Sequence, residues 1–448
     1  MKLNLTAEKI AKITGGKLVS SAPQTKITAF VTDSRVVSQG DGFIALKGNR
    51  FDAHQFIADV LKKGAAVVVA NKTYKVPSGS TASFILVDDT LKALQTIAKY
   101  HRQNSKLKVA AITGSNGKST TKQMLRAICS CAGETIANMG NFNNQFGVPF
   151  SLLEIQSKHM FGVFELGASH PGDIAETAAL TLPDVAVLTN ISAAHMEFFH
   201  DLETVYQTKT EIIRYLNPGA TVVYNQDDTY LARLKTQLKG KGISFGFSEE
   251  ADVHILPTEK FTFTYKDEAY VFDLQLEQHN KLNAAAACAA ALALGIDIET
   301  IKKGLSSFTP MPMRMERISK GNTTFILDCY NANPASMKNA LSILGKETRT
   351  PRIAVLGDMK ELGETSKEYH RLVASQLLDN HIDTIFLAGE EMKYAYEKLR
   401  EIPSLSVYYA ATPDKWIKTL SETVKKKGGT CLMKASRSMN FETIFKEI

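Results

Sequence analysis

A glycine-rich segment, Thr-Gly-Ser-Asn-Gly-Lys-Ser-Thr at residues 113–120, constrains this chain more than any other feature. It follows an apolar, strand-like run at residues 109–112 and opens a helix-like run at residues 119–131 that stops at Gly133. In that order, strand, turn and helix aim backbone N–H groups and the positive end of a helix dipole at one point. This segment, called the glycine loop below, predicts a nucleotide-phosphate site in an α/β domain.

Within the glycine loop, Lys118 is expected to reach the outer phosphates and the Ser119 hydroxyl to hold Mg²⁺. The loop is a shortened variant, because Ile112 stands where the first glycine of the usual pattern lies. A Gly-Ser turn with a surface lysine is the plain alternative, but it explains the flanking strand and helix less well. The residues predicted to bind ATP are Gly114, Ser115, Asn116, Gly117, Lys118, Ser119 and Thr120.

Length and charge limit the class of protein. A chain of 448 residues is too long for one ordinary core, so two to four domains are expected. The net charge of +7, from 53 basic and 46 acidic residues, is a mild excess without a basic tract. This balance suits anionic small-molecule substrates and argues against nucleic acid as a partner.

Targeting signals are weak in this sequence. The five cysteines are scattered and odd in number, as expected of reduced thiols. Residues 1–16 predict an amphipathic helix without an apolar signal core, and the longest apolar stretch, residues 284–294, is too short to span a bilayer. That stretch reads better as a buried helix. We therefore expect a cytoplasmic protein without membrane insertion.

The alternation of apolar and helix-like runs predicts an α/β protein of three domains. We place them at residues 1–103, 104–312 and 313–448, divided by a polar linker at 100–106 and a two-proline break at 309–313. The central domain would hold the nucleotide on a parallel sheet, the last would be Rossmann-like, and the first smaller. The predicted strands are residues 43–46, 65–70, 84–87, 109–112, 163–165, 185–189, 221–224, 325–328, 353–356, 384–388 and 430–433.

Several polar residues follow predicted central strands, where a parallel sheet places its ligands. Glu165 ends one strand and could hold a magnesium ion, although a partnered acid beside a turn explains it equally well when taken alone. His195 follows the next strand, a position typical of a ligand or catalytic group. Lys209 lies in a helix-like run and by pattern alone is a solvated lysine.

Asparagines mark two further candidate segments. Residues 138–149, called the asparagine loop below, contain Asn141, Asn143 and Asn144 and could grip phosphates or an amide-bearing substrate. The alternative is an ordinary Asn-rich turn between helices. Asn280 precedes the alanine-rich stretch, and reading an adenine edge or capping a helix are equally good explanations for it.

Three polar loops follow strands in the last domain. Asp328 begins a loop containing Asn331 and Asn333, Asp358 belongs to the 357–363 loop, and residues 434–437 follow the final strand. One such loop is weak evidence, but three at the same sheet edge indicate a second binding face.

Taken together, these segments resemble the Mur ligases, the ATP-dependent amide-forming enzymes of peptidoglycan precursor synthesis. TGSNGKST, ELGASHPGDI, NISAAHMEFF and HNKLNAAAA look like the central blocks of the family, and DCYNANPASM and GDMKELG look like its D-alanyl-D-alanine-adding member. The resemblance covers nearly the whole chain. It implies a role in cell-wall biogenesis, and hence in cell shape and division, with D-alanyl-D-alanine joined to a UDP-N-acetylmuramoyl-tripeptide and the enzyme expected to act as a monomer.

The resemblance also implies roles for single residues. Lys118, Glu165, His195 and Lys209 would be catalytic, with Ser119, Glu165, His195 and Lys209 organising Mg²⁺ and Lys209 matching a carbamylated lysine. Asn280, Arg314 and Asp328 would hold ATP. The substrate-binding residues would be Ser34 and Arg35 for the uridine diphosphate part, and Asn141, Asn143, Asn144, Asn331, Asn333 and Asp358.

Two rival functions stay open on the sequence. A sibling ligase, or a folylpolyglutamate-type ligase, would share the central machinery and take another amine. A nucleotide-dependent binding protein with a glycine loop would hydrolyse ATP without a carboxylate and an amine. The first and third α/β units are surplus to that second rival.

Overall fold

The structure, a computed structural model, describes residues 5–48, 51–239 and 241–448 and contains three sheets in chain order. Residues 1–4 of the predicted N-terminal helix lie outside the described residues. Each sheet is mainly parallel and covered by helices, as the alternating sequence pattern predicts. The α/β prediction is confirmed, and the domain boundaries at 103 and 312 stay predictions.

The first sheet has the strand order β1-β5-β4-β3-β2, and β1 runs antiparallel to β5. Thr6 caps the first helix and Gly15 ends it in the left-handed conformation. The strands are β1 Lys17–Val19, β2 Phe30–Val31, β3 Gly42–Ile44, β4 Val67–Asn71 and β5 Ser83–Val87, and the helices are α1 Ala7–Thr14, α2 Ile57–Lys62 and α3 Thr90–Gln103.

The second sheet has nine strands in the order β14-β13-β12-β11-β10-β9-β6-β8-β7, parallel from β7 to β12 and antiparallel beyond. Its strands are β6 Lys108–Thr113, β7 Thr135–Ala137, β8 Phe161–Glu165, β9 Val185–Leu188, β10 Thr221–Asn225, β11 Gly242–Gly246, β12 Val253–Ile255, β13 Lys260–Tyr265 and β14 Glu268–Gln275. Its helices are α4 Lys118–Ala132, α5 Gly147–Leu153, α6 Asp173–Thr181, α7 Met196–Phe199, α8 Leu202–Thr210, α9 Leu234–Gln237, α10 Gln278–Ala293 and α11 Ile298–Ser306. The predicted buried alanine helix is α10, whose residues from Ala284 to Ala291 are inaccessible to solvent.

The third sheet has the order β15-β16-β20-β17-β18-β19, with only the β15–β16 pair antiparallel. Its strands are β15 Glu316–Lys320, β16 Thr323–Leu327, β17 Arg352–Gly357, β18 Thr384–Ala388, β19 Ser406–Ala410 and β20 Gly429–Lys434. Its helices are α12 Pro334–Lys346, α13 Ser366–Asp379, α14 Lys393–Leu399, α15 Ile417–Lys427 and α16 Glu442–Glu447. The three predicted polar loops follow β16, β17 and β20, which are adjacent in this sheet.

The predicted linker at residues 100–106 is wrong over its first half, because α3 continues to Gln103. The polar side chains there serve packing: α3 contacts α1 on one side and α5 and α6 on the other. Arg102 is buried and donates from Nε to the Thr181 carbonyl at 2.8 Å and from Nη2 to the Leu182 carbonyl at 3.0 Å. Its ion pair with Asp184 spans 3.4 Å. The first sheet is therefore joined to the second through one shared helix.

The second connection is different in kind. Residues 309–313, where the two prolines fall, belong to neither a helix nor a strand. The connection runs from the end of α11 to the start of β15, which agrees with the predicted break. A connection without backbone ladder bonds can change direction at low cost, so we expect any motion of the third sheet relative to the second to occur here.

Candidate active site

The glycine loop lies between β6 and α4, as predicted. Ile112 pairs with both Glu165 of β8 and Val187 of β9, so these strands end together at the loop. Gly117 has φ +80°, and a Cβ there would overlap the Asn283 amide of α10. Only glycine fits this turn, which brings the first residues of α4 against α10.

Side chains from the loop after β9 hold the glycine loop in shape. Thr189 Oγ1 donates to the Asn116 carbonyl at 2.6 Å, and the Asn116 N–H donates to Asn190 Oδ1 at 3.0 Å. The Ser115 hydroxyl donates to the Ser192 carbonyl and accepts from the Ser192 N–H, both at 2.9 Å. Because these bonds fix the backbone, the loop is preorganised before any ligand arrives.

Lys118 is folded back onto its own loop. Its Nζ donates to the Gly114 carbonyl at 2.8 Å and to the Ser115 carbonyl at 3.2 Å. Burial lowers the pKa of Lys118, while the nearby Glu165 carboxylate raises it and Arg314 lowers it further. The position suits a cation that can reach phosphates held by the loop.

Glu165 is buried among donors at the carboxyl end of β8. Its Oε2 accepts from Ser119 Oγ at 2.6 Å and lies 3.7 Å from Lys122 Nζ, and its Oε1 accepts from Asn143 Nδ2 at 2.9 Å. Burial raises its pKa, but Lys118 and Lys122 together with the two hydrogen bonds outweigh burial and lower the pKa overall. Glu165 is therefore held as a carboxylate, the form that binds a hard cation.

Lys209, near the end of α8, is also buried, which contradicts its interpretation as a solvated lysine. Within the described residues its ammonium makes neither a hydrogen bond nor an ion pair. Burial, followed by repulsion from Lys118, lowers the pKa of Lys209 to about 7. A large fraction of this lysine is thus a neutral amine near neutral pH.

His195 lies in a left-handed turn just before α7, with φ +55°. Its Nδ1 is 2.5 Å from Glu361 Oε2 of the 357–363 loop. The imidazole also contacts the Phe199 ring edge-on at 6.4 Å. This histidine therefore lies where the second and third sheets meet.

The alanine-rich helix contributes through its first turn. α10 begins at Gln278, so Asn280 lies inside the helix, and the interpretation of Asn280 as a helix cap is wrong. Its Oδ1 accepts from Asn283 Nδ2 at 3.2 Å. Burial lowers the pKa of the adjacent His279. Both residues line the site.

The third sheet faces the glycine loop through Arg314 and Asn333. Arg314 Nη2 donates to Ser119 Oγ at 2.9 Å, and its guanidinium stacks 4.1 Å above the Tyr330 ring. Asn333, the N-cap of α12, donates from Nδ2 to Asn116 Oδ1 at 2.8 Å. Both bonds end on the loop predicted to hold phosphates.

Asp328 and Lys434 form a charge pair beside these contacts. Lys434 Nζ lies 2.6 Å from Asp328 Oδ2 and donates to the Asn331 carbonyl at 3.0 Å. Lys434 is almost fully buried, so the pair holds the loops after β16 and β20 together.

These residues surround one cavity of about 1070 Å³. This is large enough for a nucleotide together with a second substrate. Its walls come from the second and third sheets. The predicted site residues that line it are Ser115, Asn116, Gly117, Lys118, Ser119, Thr120, Asn141, Asn143, Asn144, Glu165, His195, Asn280, Arg314, Asp328, Asn331 and Asn333.

Five predicted residues do not line the cavity: Gly114, whose carbonyl accepts from Lys118 Nζ, and four that are placed elsewhere or behind the wall. Lys209 lies beneath the surface, and Ser34 and Arg35 lie on the first domain, where Arg35 pairs with Asp33 at 2.7 Å and is mostly exposed. Asp358 is inaccessible, because its carboxylate accepts the backbone N–H groups of Glu391 and Met392 and pairs with Lys360. The prediction of direct substrate contact by Asp358 is wrong in this arrangement; Lys360 and Glu361 line the cavity instead.

Sequence reasoning missed Lys122, which is fully buried one turn after Lys118. Its Nζ donates to the Asn138 carbonyl at 2.9 Å and neutralises Glu165. A lysine four positions after Lys118, on the same helix face, is the sequence signal that could have identified Lys122.

The asparagine loop starts after β7 and ends in α5, so it lies between a strand and a helix rather than between two helices.

Two observations support a fit to a magnesium–nucleotide complex, and a third limits it. Ser119 and Glu165 offer adjacent hard oxygen ligands. Arg314 Nε and Thr113 Oγ1 are buried polar atoms without a hydrogen-bond partner in the described part of the chain. No group of three or more His, Cys, Asp or Glu side chains among the described residues could hold a metal alone. A metal here therefore needs a further oxygen ligand, from the ligand or from a modified side chain.

Comparison with known proteins identifies the family. Residues 26–102 match a model described as the Mur ligase family catalytic domain, residues 112–291 the Mur ligase middle domain, and residues 313–437 the Mur ligase glutamate ligase domain. The chain belongs to the Mur ligase family. The three matched regions contain, in order, most of each of the three sheets.

Relatives of this Mur ligase match over the full length. UDP-N-acetylmuramoyl-tripeptide–D-alanyl-D-alanine ligase of Buchnera aphidicola is 35% identical, covering 100% of this chain and 98% of the relative. MurF from Acinetobacter baumannii superimposes with a TM-score of 0.91 at 34% identity, covering 100% and 99%. MurF from Thermotoga maritima, solved in complex with ADP, superimposes with a TM-score of 0.81 at 31% identity, covering 93% of this chain and 96% of that one.

In the part of this chain that the structure describes, no helix is both long and apolar enough to cross a membrane.

Proposed function

We propose that this Mur ligase joins D-alanyl-D-alanine to UDP-N-acetylmuramoyl-tripeptide, giving the pentapeptide, ADP and phosphate. It is an ATP-dependent ligase that forms a carbon–nitrogen bond in peptidoglycan precursor synthesis. The observation that carries this is full-length similarity, with 35% identity to a relative of that activity, together with a glycine loop facing a third domain across one cavity.

The reaction is proposed in two steps. A carboxylate oxygen of the tripeptide attacks the γ-phosphorus of ATP, the bond to the bridging oxygen breaks, and ADP leaves. The amine nitrogen of D-alanyl-D-alanine then attacks the acyl carbon of the resulting acyl phosphate, phosphate leaves, and the nitrogen loses a proton. Both steps bring negative groups together, so positioning and charge neutralisation supply most of the catalysis.

The residue roles are part of the proposal, and the geometry of the cavity supports several of them. Lys118 would swing from its carbonyl partners to the transferring phosphate, and Arg314, whose Nε is unpaired in the described structure, would hold an anion from the opposite wall. Asn280 would contact the adenine beside α10, and Asp328 would help Arg314 to hold the nucleotide across the domain boundary. Asn141, Asn143, Asn144, Asn331 and Asn333 would contact the peptide substrates, with Ser34 and Arg35 on the uridine diphosphate part.

Magnesium would be held through Ser119, Glu165, His195 and Lys209, and would neutralise charge on the phosphates. For Lys209 this requires carbamylation, in which the neutral amine adds CO₂ and releases a proton. Its burial and its lack of an anionic partner support that modification. The carbamate would replace an unfavourable buried ammonium by an oxygen ligand.

The domain roles and setting are part of the proposal. Residues 1–103 would bind the UDP substrate, residues 104–312 ATP, and residues 313–448 the incoming dipeptide, in a monomeric cytoplasmic enzyme. Closure of the third domain would keep water from the acyl phosphate.

The decisive experiment measures phosphate release from ATP and Mg²⁺ with UDP-N-acetylmuramoyl-tripeptide, with and without D-alanyl-D-alanine. We expect release that depends on both substrates, a product heavier by one dipeptide, and loss of turnover in Lys118→Ala with an unchanged melting temperature. Release that is indifferent to both substrates would sink the proposal, and release with another amine would reassign the acceptor.

A further inference from the structure

The 357–363 loop of the third domain is seated on the turn that carries His195. The Glu197 N–H donates to the Glu361 carbonyl at 3.2 Å. Gly363, at φ +54°, approaches so closely that a Cβ there would lie 3.0 Å from Glu197 Cα. The loop is anchored at its base by the buried Asp358 carboxylate. The two domains therefore meet here through backbone as well as side chains.

The same contact fixes one nitrogen of the catalytic-site histidine. His195 Nδ1 lies 2.5 Å from the Glu361 carboxylate, which can only accept, so Nδ1 carries the proton. In the neutral imidazole, the other ring nitrogen, Nε2, then carries the lone pair. An imidazole held in this way by a carboxylate is a better and better-oriented ligand.

We propose that Glu361 is a positioning residue, which sets the tautomer and orientation of His195 for the metal–nucleotide complex only when the third domain is closed. The inference rests on the proposed function, because it takes His195 as part of the magnesium site. Its consequence is that the metal site of the second domain is completed by a residue of the third. Closure then controls when the site can bind the metal tightly.

A matched pair of variants separates this role from a general effect of charge. Glu361→Ala removes the contact with His195. Glu364→Ala makes the same charge change on the same surface, where Glu364 is exposed and, within the described residues, has no side-chain hydrogen bond or ion pair. Both positions are solvent-accessible, so both variants should fold, and Glu361→Gln, a weaker acceptor of similar shape, carries the test if the alanine variant does not.

The first readout is metal binding rather than turnover. Free Mn²⁺ is followed by electron paramagnetic resonance while the protein is titrated in the presence of a non-hydrolysable ATP analogue. Loss of a group that orients a metal-binding histidine typically costs about 10- to 100-fold in metal affinity. We expect that loss for Glu361→Ala, a smaller loss for Glu361→Gln, and none for Glu364→Ala. Equal affinity in Glu361→Ala and Glu364→Ala would overturn the proposal.

The second readout is the tautomer of His195 itself. With ¹⁵N-labelled histidine, and His195→Ala to assign the signal, the wild type should show a protonated Nδ1 and an unprotonated Nε2. Glu361→Ala should lose that preference and Glu364→Ala should keep it; a wild-type signal with protonated Nε2 contradicts the inference. Whether the wild type ligates D-alanyl-D-alanine is measured separately, so failure of the proposed function is distinguishable from failure of the Glu361 assignment.

Discussion

The two connections between the three sheets differ in secondary structure and in packing. The first is a helix, α3, that packs on both of its neighbours and buries Arg102 among backbone carbonyls. The second is an irregular segment around residues 309–313, assisted by side-chain contacts such as Arg314 to Ser119 and Asn333 to Asn116. Breaking the first means unpacking a buried helix, whereas breaking the second costs a few hydrogen bonds of about 1 kcal/mol each. Motion during catalysis should therefore be confined to the second.

The largest effect is expected from Arg102→Met, which attacks the first connection. It leaves the Thr181 and Leu182 carbonyls and Asp184 without their cation, and such losses cost about 3–5 kcal/mol of unfolding free energy. Denaturant unfolding followed by circular dichroism measures it. Lys92→Met, on an exposed face of the same helix, should change the unfolding free energy by less than about 0.5 kcal/mol. Similar losses in both variants would contradict a rigid first connection.

Lys209, near the end of α8, is a second buried cation, and within the described residues it lacks the hydrogen-bond acceptors that hold Arg102. The pKa of Lys209 is about 7 in the folded chain and 10.5 in a model peptide, so between these values the unfolded chain binds more protons. Unfolding free energy should therefore rise with pH in that window, relative to Lys209→Met, by up to about 1.4 kcal/mol per pH unit. The difference is measured from about pH 7 to pH 9 in CO₂-free buffer. Parallel curves for the two proteins would show that this lysine is not destabilised by burial.

Gly363 tests how closely the third domain must approach. Gly363→Ala adds a methyl group 3.0 Å from Glu197 Cα, and we expect kcat/KM to fall about tenfold, or roughly 1.4 kcal/mol. Gly321→Ala is the control, because Gly321 has a similar φ of +59° but open space around it, so it carries the same backbone cost without the clash. Equal kcat/KM in the two variants would mean that this contact does not limit closure.

The smallest effect is expected from Asn333→Ser. Serine keeps the N-cap of α12 but is too short to reach Asn116, so about 1 kcal/mol of closure and roughly fivefold in kcat/KM should be lost at constant melting temperature. Asn333→Ala removes the cap as well and should also lower the melting temperature. If serine behaves as wild type in kcat/KM, the bond does not contribute to closure.

Much of this architecture was predictable because local pattern and tertiary context agree. The buried parallel strands around the glycine loop are continuous apolar runs ended by polar residues, so β6, β8 and β9 and the loops after them were found. Strands β11 to β14 were not predicted, because none of them is a continuous apolar run of this kind. The helical end of α3 was predicted to be a linker because its residues are polar. Arg102 is buried there only because it donates to the Thr181 and Leu182 carbonyls, which are distant in sequence.

Contacts across domains were the hardest to foresee. Lys209 shows no local sign that it is buried, because the groups that surround it come from other elements. Glu361 and Arg314 lie in segments that were singled out, yet their partners are 166 and 195 residues away in sequence. Periodicity describes which face of an element is apolar, and it carries no information about which side chain of another domain will lie opposite.

The unpaired Nε of Arg314 has a thermodynamic consequence. A buried donor without an acceptor raises the free energy of the ligand-free arrangement seen here by about 1–3 kcal/mol, and an anion that accepts its hydrogen bond removes that cost. Closing and anion binding are then linked equilibria, and each must strengthen the other by the same factor. If the nucleotide supplies that acceptor, as proposed, ADP that keeps the bond would favour the closed arrangement and delay its own release.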